Sequence, residues 1–312
     1  MRYVAAIAAL ALLPVLALAA EELDWAYPVT PKPEPLDNLV LKQVPDSTRA
    51  YTQAQIDDPF NPPDWFPDEH PPMPQIVAQG DKPAVRACAQ CHLPSGDGHP
   101  ESSSLAGLPV PYLLRQLTAF KNGERKGVRA TTMITIAQAI SDADALAAAE
   151  YFAALQPGVW TKVIETDSVP KSYVGAGGMR FAEPGGEMEP IGNRIITVPV
   201  DQTRARLRDP HAGAGFVAYV PMGSVAKGKA LVETGGGGKT IACSICHGDA
   251  LKGLGDVPRL AGVHPIYIAR QLYLFKDGTR NGVDGQLMKK PTAKLTDEDI
   301  LAIAAYLGSL AP

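Results

Sequence analysis

The chain contains two copies of one segment, and this repeat limits what its 312 residues can fold into more than any other feature. Residues 88–155 align without a gap with residues 243–310, which lie 155 positions later, and 25 of the 68 aligned positions are identical. Both copies begin with the pattern Cys-x-x-Cys-His. A period this long indicates duplication of a whole domain, because stacked repeats have units of about 20 to 50 residues. The sequence therefore predicts two domains of one fold in tandem.

The Cys-x-x-Cys-His pattern is the attachment signature of c-type haem. The two thiols are spaced to join the vinyl groups of one porphyrin, and the next residue, His92 or His247, is then the fifth ligand of the iron. The two motifs contain every cysteine in the chain: Cys88, Cys91, Cys243 and Cys246. The sequence therefore predicts two covalently bound haems.

Disulfides, a thiol redox pair and a zinc site are the other uses of paired cysteines. Neither disulfides nor a redox pair explains the histidine that follows both motifs. A zinc site would need four ligands close together, yet the two pairs lie far apart and no second pair of ligands stands near either one. Haem attachment is the interpretation that accounts for all the motif residues.

The repeat also selects a sixth ligand for each iron. Met133 follows His92 by 41 residues, and Met288 follows His247 by 41 residues. A methionine is more often a filler of the apolar core. Here the equal spacing in both copies favours a ligand, and Met/His ligation leaves no open position on the iron for a substrate.

Each copy has the pattern of a helical domain. Apolar residues at helical spacing precede Gly123 and Gly278, which are expected just past a helix end. Ser141 and Thr296 are the expected N-caps of the last helices. A further helix is expected over 225–233, with Ala230 and Leu231 facing inward.

With these motifs the chain resembles the diheme class I cytochromes c of the cytochrome c4 type. The resemblance rests on CAQCH and CSICH, on the RQL-xxF-K-x-G-x-R helices, and on a methionine before an S/T-D-x-D helix. It covers 75–156 and 223–312. It implies a mostly α fold of two tandem class I domains, each enclosing one haem, which pass single electrons in the periplasm. The partners it implies are redox proteins: a dehydrogenase donor and a terminal oxidase or another cytochrome as acceptor.

The resemblance also implies surroundings for the haems. Pro258 matches the proline whose carbonyl orients the ligand histidine, whereas Ser103 stands at that position in the first copy. By analogy, a tyrosine and an arginine of each copy could meet a haem propionate, since arginine pairs well with carboxylates. These residues are Tyr112, Arg115, Tyr267 and Arg270; the alternative is a core tyrosine and a surface arginine. The unrepeated histidines, His99, His211 and His264, are expected at the surface.

Two segments lie outside the resemblance. Segment 21–74 is rich in proline and carries 3 basic against 11 acidic side chains. It is either a solvated acidic extension or, given its aromatic residues, a strap that packs along the haem domains. Segment 157–222 is too long for a plain linker, and its apolar residues at 195–200 and 217–220 predict some β structure.

Residues 1–20 have the features of a signal peptide: a basic residue, an apolar run and small residues before a polar start. An uncleaved membrane anchor is the alternative. We therefore expect a periplasmic protein, associated with a membrane only through that segment or a membrane partner. The arginines at 204–208 are balanced by nearby acids and do not indicate nucleic-acid binding.

The sequence therefore predicts a diheme electron carrier rather than an enzyme. A diheme peroxidase is the main alternative, and it would need one haem with an open position for peroxide. The near-symmetric repeats argue against such specialisation. A second alternative is the haem subunit of a larger dehydrogenase complex, docked through 21–74 and 157–222.

Overall fold

The computed structural model describes residues 23–27, 39–128 and 130–312, so the expected signal segment 1–20 lies outside the described residues. The molecule is mostly helical, as predicted, with short strands concentrated between the two repeats. Within the described residues, no helix has both the length and the apolar character needed to cross a bilayer.

Short elements precede the first copy: β1 (Leu41–Lys42), β2 (Tyr51–Thr52) and α1 (Gln53–Ile56). The first copy is helical throughout, with α2 (Gln75–Ala78), α3 (Ala89–His92), α4 (Val110–Lys121), α5 (Thr131–Ala139) and α6 (Asp142–Ala154). The second copy repeats the series as α8 (Ser224–Thr234), α9 (Ser244–His247), α10 (Pro265–Lys276), α11 (Val283–Thr292) and α12 (Asp297–Ser309).

The middle segment contains the β structure. Its strands are β3 (Thr161–Glu165), β4 (Ser168–Pro170), β5 (Ser172–Val174), β6 (Arg180–Ala182), β7 (Met188–Pro190), β8 (Ile196–Pro199) and β9 (Phe216–Val220), with the short helix α7 (Gln202–Arg206) before β9. Strand β9 lies in the centre of a three-stranded sheet, parallel to β3 and antiparallel to β8. The predicted strands at 195–200 and 217–220 are therefore confirmed as β8 and β9.

The expected helix ends are also confirmed. Gly123 and Gly278 follow α4 and α10 with φ of 69° and 79°, the left-handed conformation that glycine adopts without a steric penalty. Ser141 caps α6 by accepting a hydrogen bond from the Asp144 amide. Thr296 caps α12 in the same way and completes a capping box with Asp299.

Helix α8 forms over the predicted stretch, but its inward face differs. Leu231 is buried, whereas Ala230 is exposed, so the expectation for Ala230 was wrong. The close contact is made by Gly228, where an added Cβ would overlap the carbonyl oxygen of Ala302 and the Cβ of Tyr306. Helix α8 therefore packs against α12 backbone to backbone, a contact that helical periodicity alone does not reveal.

The middle segment shares its core with the second copy. Buried residues of β8 and β9 form one apolar cluster with α8, α10 and α12, and Trp25 is part of it. Trp65 and Phe66 instead pack against Leu207 of the middle segment, where the indole nitrogen of Trp65 donates to the Leu207 carbonyl at 2.8 Å. The described parts of the acidic extension, 23–27 and 39–74, therefore form a packed strap, with Trp25 in the core of the second domain and Trp65 on the middle segment.

Replacing Gly228 by alanine should destabilise the second domain, because α8 would have to move away from α12. Overpacking of this kind costs about 1–3 kcal/mol. Chemical denaturation of the holoprotein, followed by circular dichroism, measures the change. The matched control is Lys229→Ala, at an exposed position of the same helix, which should leave the free energy of unfolding nearly unchanged. Equal effects of the two substitutions would contradict the tight contact.

Candidate functional site

Each Cys-x-x-Cys-His motif forms one short helix that ends at its histidine. Helix α3 ends at His92 and α9 ends at His247, and both imidazoles are buried. Nδ1 of His92 lies 2.8 Å from the Ser103 carbonyl oxygen, and Nδ1 of His247 lies 2.8 Å from the Pro258 carbonyl oxygen. The first copy therefore makes the same contact as the second without the proline, because only the backbone carbonyl is needed.

These contacts fix the protonation state of both rings. A carbonyl oxygen can only accept, so Nδ1 carries the proton and Nε2 keeps the lone pair that binds a metal. Burial lowers the pKa of His92 and of His247, which favours the neutral imidazole that ligation needs. The two histidines thus have the donor chemistry expected of axial ligands to haem iron.

The cysteines are free thiols. Burial raises the pKa of Cys88 to about 12 and that of Cys243 to about 11. Reactive redox pairs have the opposite shift, a lowered pKa, so the environment does not suit a thiol redox site. Among residues 23–27, 39–128 and 130–312, no group of three or more Cys, His, Asp or Glu is arranged to hold a metal ion. The zinc alternative therefore gains no support.

The two methionines occupy equivalent helices. Met133 lies on α5 and Met288 on α11, and both side chains are half-buried. Met288 packs beside the main apolar cluster of the second domain. Their assignment as sixth ligands stays a prediction.

A group of buried and half-buried polar side chains lies where the two copies meet, and only its two tyrosines were singled out from the sequence. It contains the same three residue types from each copy: Tyr112, Gln116 and Arg125 from the first, and Tyr267, Gln271 and Arg280 from the second. The backbones pair there, with the Lys126 amide donating to the Thr279 carbonyl at 3.1 Å. We call these six side chains the interface cluster.

Within the interface cluster each arginine reaches across to the other copy. Nη2 of Arg125 donates to the Tyr267 hydroxyl at 2.7 Å. Nη2 of Arg280 donates to the Tyr112 hydroxyl at 3.1 Å and to the Gln116 amide oxygen at 2.7 Å. The cluster therefore has approximate twofold symmetry, as expected for a contact between duplicated domains.

The interface cluster holds two buried positive charges. Among the described residues, neither Arg125 nor Arg280 forms an ion pair with an aspartate or glutamate. Burial, together with the charge of Arg280, lowers the pKa of Arg125. Burial opposes ionisation of Tyr267, but the two guanidinium charges outweigh it and lower the pKa of that phenol. A site of this kind suits an anion, and a haem propionate is a carboxylate that fits it.

A cavity of about 120 Å³ adjoins the interface cluster, and its charged lining consists of three arginines and two acids: Arg115, Arg125, Arg280, Glu124 and Asp284. Asp284 is already paired with Arg115. This volume is far too small for a porphyrin and is of the size of a carboxylate group with water. The residues present therefore fit the acidic edge of a haem.

Arg115 and Arg270, the arginines expected near propionates, have carboxylates of the chain as partners. Arg115 pairs with Asp284 at 3.1 Å and with Asp256 at 3.3 Å. Arg270 is buried and binds Glu101 through both nitrogens, at 2.8 and 3.1 Å. Both pairs join the two copies. Tyr112 and Tyr267, expected beside these arginines, are instead hydrogen-bonded to Arg280 and Arg125.

Two of the three unrepeated histidines are buried, so the expectation of surface positions was wrong for them. His264 lies between the copies, with Nδ1 2.8 Å from the Thr161 hydroxyl, and burial lowers its pKa to about 4. His99 is also buried. His211 is partly exposed, stacked on Phe66. Sequence periodicity could not show the burial of His264, because Thr161 and Phe216 of the middle segment pack against its ring.

The chain was compared with known proteins. A family model described as Cytochrome c matches residues 225–311. Cytochrome c4 of Pseudomonas aeruginosa is 28% identical over 241 residues, which cover 75% of this chain and 90% of the relative. Cytochrome c-554(548) of Halomonas halodenitrificans is 38% identical over 68 residues, covering 22% of this chain and 82% of the relative. The thiosulfate dehydrogenase electron acceptor of Thiomonas intermedia is 27% identical over 232 residues, covering 73% and 80%.

The contact between Arg270 and Glu101 should be essential to the packing of the two copies. Glu101→Gln removes the negative charge and leaves a buried guanidinium, a change that costs about 3–5 kcal/mol when a buried pair is broken. Urea denaturation measures the loss. The control is Glu187→Gln, which breaks the exposed pair with Lys171 and should cost at most about 1 kcal/mol. A loss at Glu101 no larger than that of the control would refute the importance of this pair.

Proposed function

Because this chain belongs to the cytochrome c family, as a two-haem protein of the cytochrome c4 type that takes part in electron transfer, we propose that it is a periplasmic carrier of single electrons. Its donor is a dehydrogenase and its acceptor a terminal oxidase or another cytochrome. The observation that carries this function is the matched pair of sites, in which each histidine has the same carbonyl contact and the same spacing to a methionine.

The proposal assigns the same roles in both domains. The two thiols of each motif attach the haem covalently, the histidine supplies the fifth ligand through Nε2, and the methionine supplies the sixth. The residues are Cys88, Cys91, His92 and Met133 in the first domain, and Cys243, Cys246, His247 and Met288 in the second. Bound haem supplies an iron that gains and loses one electron.

The chain's own residues would prepare this transfer in three ways. The Ser103 and Pro258 carbonyls hold the imidazoles in one tautomer and one orientation. A methionine at the sixth position excludes water and small substrates, and it raises the reduction potential. Arg125 and Arg280 hold fixed positive charges in a buried setting, where they favour the state of the haem with the extra electron.

The periplasmic assignment is supported by the pattern of residues 1–20, which is typical of an exported protein.

The test of the carrier function is a redox titration of the purified holoprotein combined with absorption spectroscopy. We expect two one-electron transitions, the far-red absorption that marks Met–iron ligation in the oxidised protein, and no turnover of hydrogen peroxide. Met288→Leu and Met133→Leu should each abolish about half of the far-red band. Rapid peroxide turnover with a high-spin haem would instead support the diheme peroxidase.

The interface cluster leads to a prediction about potential. Arg125→Gln or Arg280→Gln removes a positive charge near the haems, so reduction becomes less favourable and at least one potential should fall by tens of millivolts. The conservative variants Arg125→Lys and Arg280→Lys keep the charge and should restore much of the shift. Lys162→Gln, at an exposed position of β3, is the control and should change neither potential. Unchanged potentials in all the arginine variants would contradict the proposed propionate contact.

A narrower candidate function has support from one relative. The Thiomonas intermedia protein is a thiosulfate dehydrogenase electron acceptor that this chain matches over most of its length. We therefore propose thiosulfate dehydrogenase as a candidate donor. Mixing the oxidised protein with a bacterial thiosulfate dehydrogenase and thiosulfate should reduce both haems. If the enzyme turns over with another acceptor but leaves these haems oxidised, the donor belongs to another class.

A further inference from the structure

The two haem-attachment motifs lie in very different surroundings, although their sequences are in register. We call residues 89–99 the first motif face and residues 244–254 the second motif face. Gln90 is 6% exposed, whereas Ile245 at the matching position is 67% exposed. His99 is 8% exposed, whereas its counterpart Leu254 is 60% exposed. One chain thus provides a matched comparison of a covered face and an open face.

Two side chains of the middle segment cover the first motif face by direct hydrogen bonds. Nη1 of Arg208 donates to the Gln90 carbonyl at 2.6 Å, and its Nε donates to the Ile56 carbonyl at 3.2 Å. The indole of Trp160 donates to the Gly98 carbonyl at 2.9 Å. The cover therefore includes both the middle segment and the acidic strap.

Leu93 adds an apolar contact between the first motif face and the middle segment. It directly follows His92, has a φ of 62°, and packs in an apolar cluster with Trp160 and Phe216. A positive φ costs conformational energy for a bulky residue such as leucine. At the matching position the second copy has Gly248, which adopts its φ of 76° without that cost. The first copy thus has an apolar side chain at the position where the cover packs, and the second copy has none at that position, although Ala250 and Leu251 of the second motif face also adopt a positive φ.

The second motif face is an ordered surface. The Gly253 amide donates to the His247 carbonyl at 2.8 Å, which holds the following Leu254 beside α9. The Thr240 hydroxyl donates to the Pro291 carbonyl at 2.8 Å, which holds the end of α11 beside Ile241. Three apolar side chains are therefore exposed on one fixed surface: Ile241, Ile245 and Leu254.

The two motif faces also differ in charge. Lys252 is exposed at the position where the first copy has the buried Asp97, whose carboxylate accepts from the Gly158 amide. Lys289 and Lys290 are exposed at the end of α11. Asp249 is an exposed acid on the same face, so these three lysines leave an excess of positive charge around it. Residues 223–312 carry 11 basic and 8 acidic side chains, and three of the basic ones, Arg259, Arg270 and Arg280, are buried. An apolar centre with a basic rim is complementary to a partner with an acidic rim.

The geometry points to the second motif face as the surface through which this protein exchanges electrons with a redox protein that has an acidic docking face. The first haem then exchanges electrons with that partner by way of the second haem, because the chain's own middle segment covers the first motif face. This inference rests on the proposed function and adds to it the site of docking and the order of the two haems.

The test uses the fully reduced holoprotein and two oxidants of opposite charge in a stopped-flow instrument. Hexacyanoferrate(III), an anion, stands in for the acidic partner. With the wild type its rate constant should fall as salt is added, because the basic rim attracts it. If the net charge of −4 governed the encounter instead, salt would raise that rate constant and the inference would be wrong.

The double variant Lys252→Glu/Lys290→Glu should slow oxidation by hexacyanoferrate(III) at least about threefold at low ionic strength. Every kinetic phase whose rate constant depends on the oxidant concentration should slow by the same factor, because the first haem is oxidised through the second. The tris(phenanthroline)cobalt(III) cation should react faster with the variant. Ile245→Glu, which places a negative charge in the apolar centre, should act in the same direction. Lys162→Glu, the same type of substitution at one exposed site on β3, should alter no phase.

If one of these oxidant-dependent phases kept its wild-type rate constant in both the double variant and Ile245→Glu, the inference would be overturned, since that haem would then react through another surface. It would also be overturned if all phases of these variants had the same rate constants as the wild type. Failure of the proposed carrier function would give a different result: the reduced wild type would not transfer one electron per haem to either oxidant.

Discussion

Two buried guanidinium groups lie where the repeats meet, and no carboxylate in the described part of the chain forms an ion pair with either of them. Each of these two side chains, Arg125 and Arg280, donates hydrogen bonds to a tyrosine of the opposite copy and to Gln116 of the first copy. Buried positive charge requires an anion nearby, and the proposed haem propionates have that charge. The contact between the two copies and the proposed propionate site therefore share the same six side chains.

The two duplicated sites have the same haem-attachment residues, but the segments outside the repeat give them different surroundings. The histidines keep the same carbonyl contact, although one carbonyl belongs to a serine and the other to a proline. The surroundings differ because the middle segment shares the apolar core of the second domain and packs over the motif of the first. A carrier with two similar haems thus acquires an inner haem and an outer one.

Local signals explain which parts of the fold could be predicted. The caps at Ser141 and Thr296 depend on contacts within one helical turn, and they are present as expected. Ala230 and the buried His264 were predicted wrongly because their burial depends on elements distant in sequence. The interface cluster did leave a signal, since Arg125 and Arg280 are identical in the two copies. Helical periodicity could not show that the side chains cross between domains.

By itself, the sequence determined two covalently bound haems and a mostly helical fold, and it predicted two axial ligands for each haem. Those features follow from residues a few positions apart and from a repeat that can be checked against itself. Only the tertiary structure decided which charges are buried together and which motif face is covered. Both depend on contacts between residues more than 60 positions apart, such as Trp160 with Gly98 and Arg280 with Tyr112. The chain reaches such contacts only when the middle segment and both repeats have packed into one core.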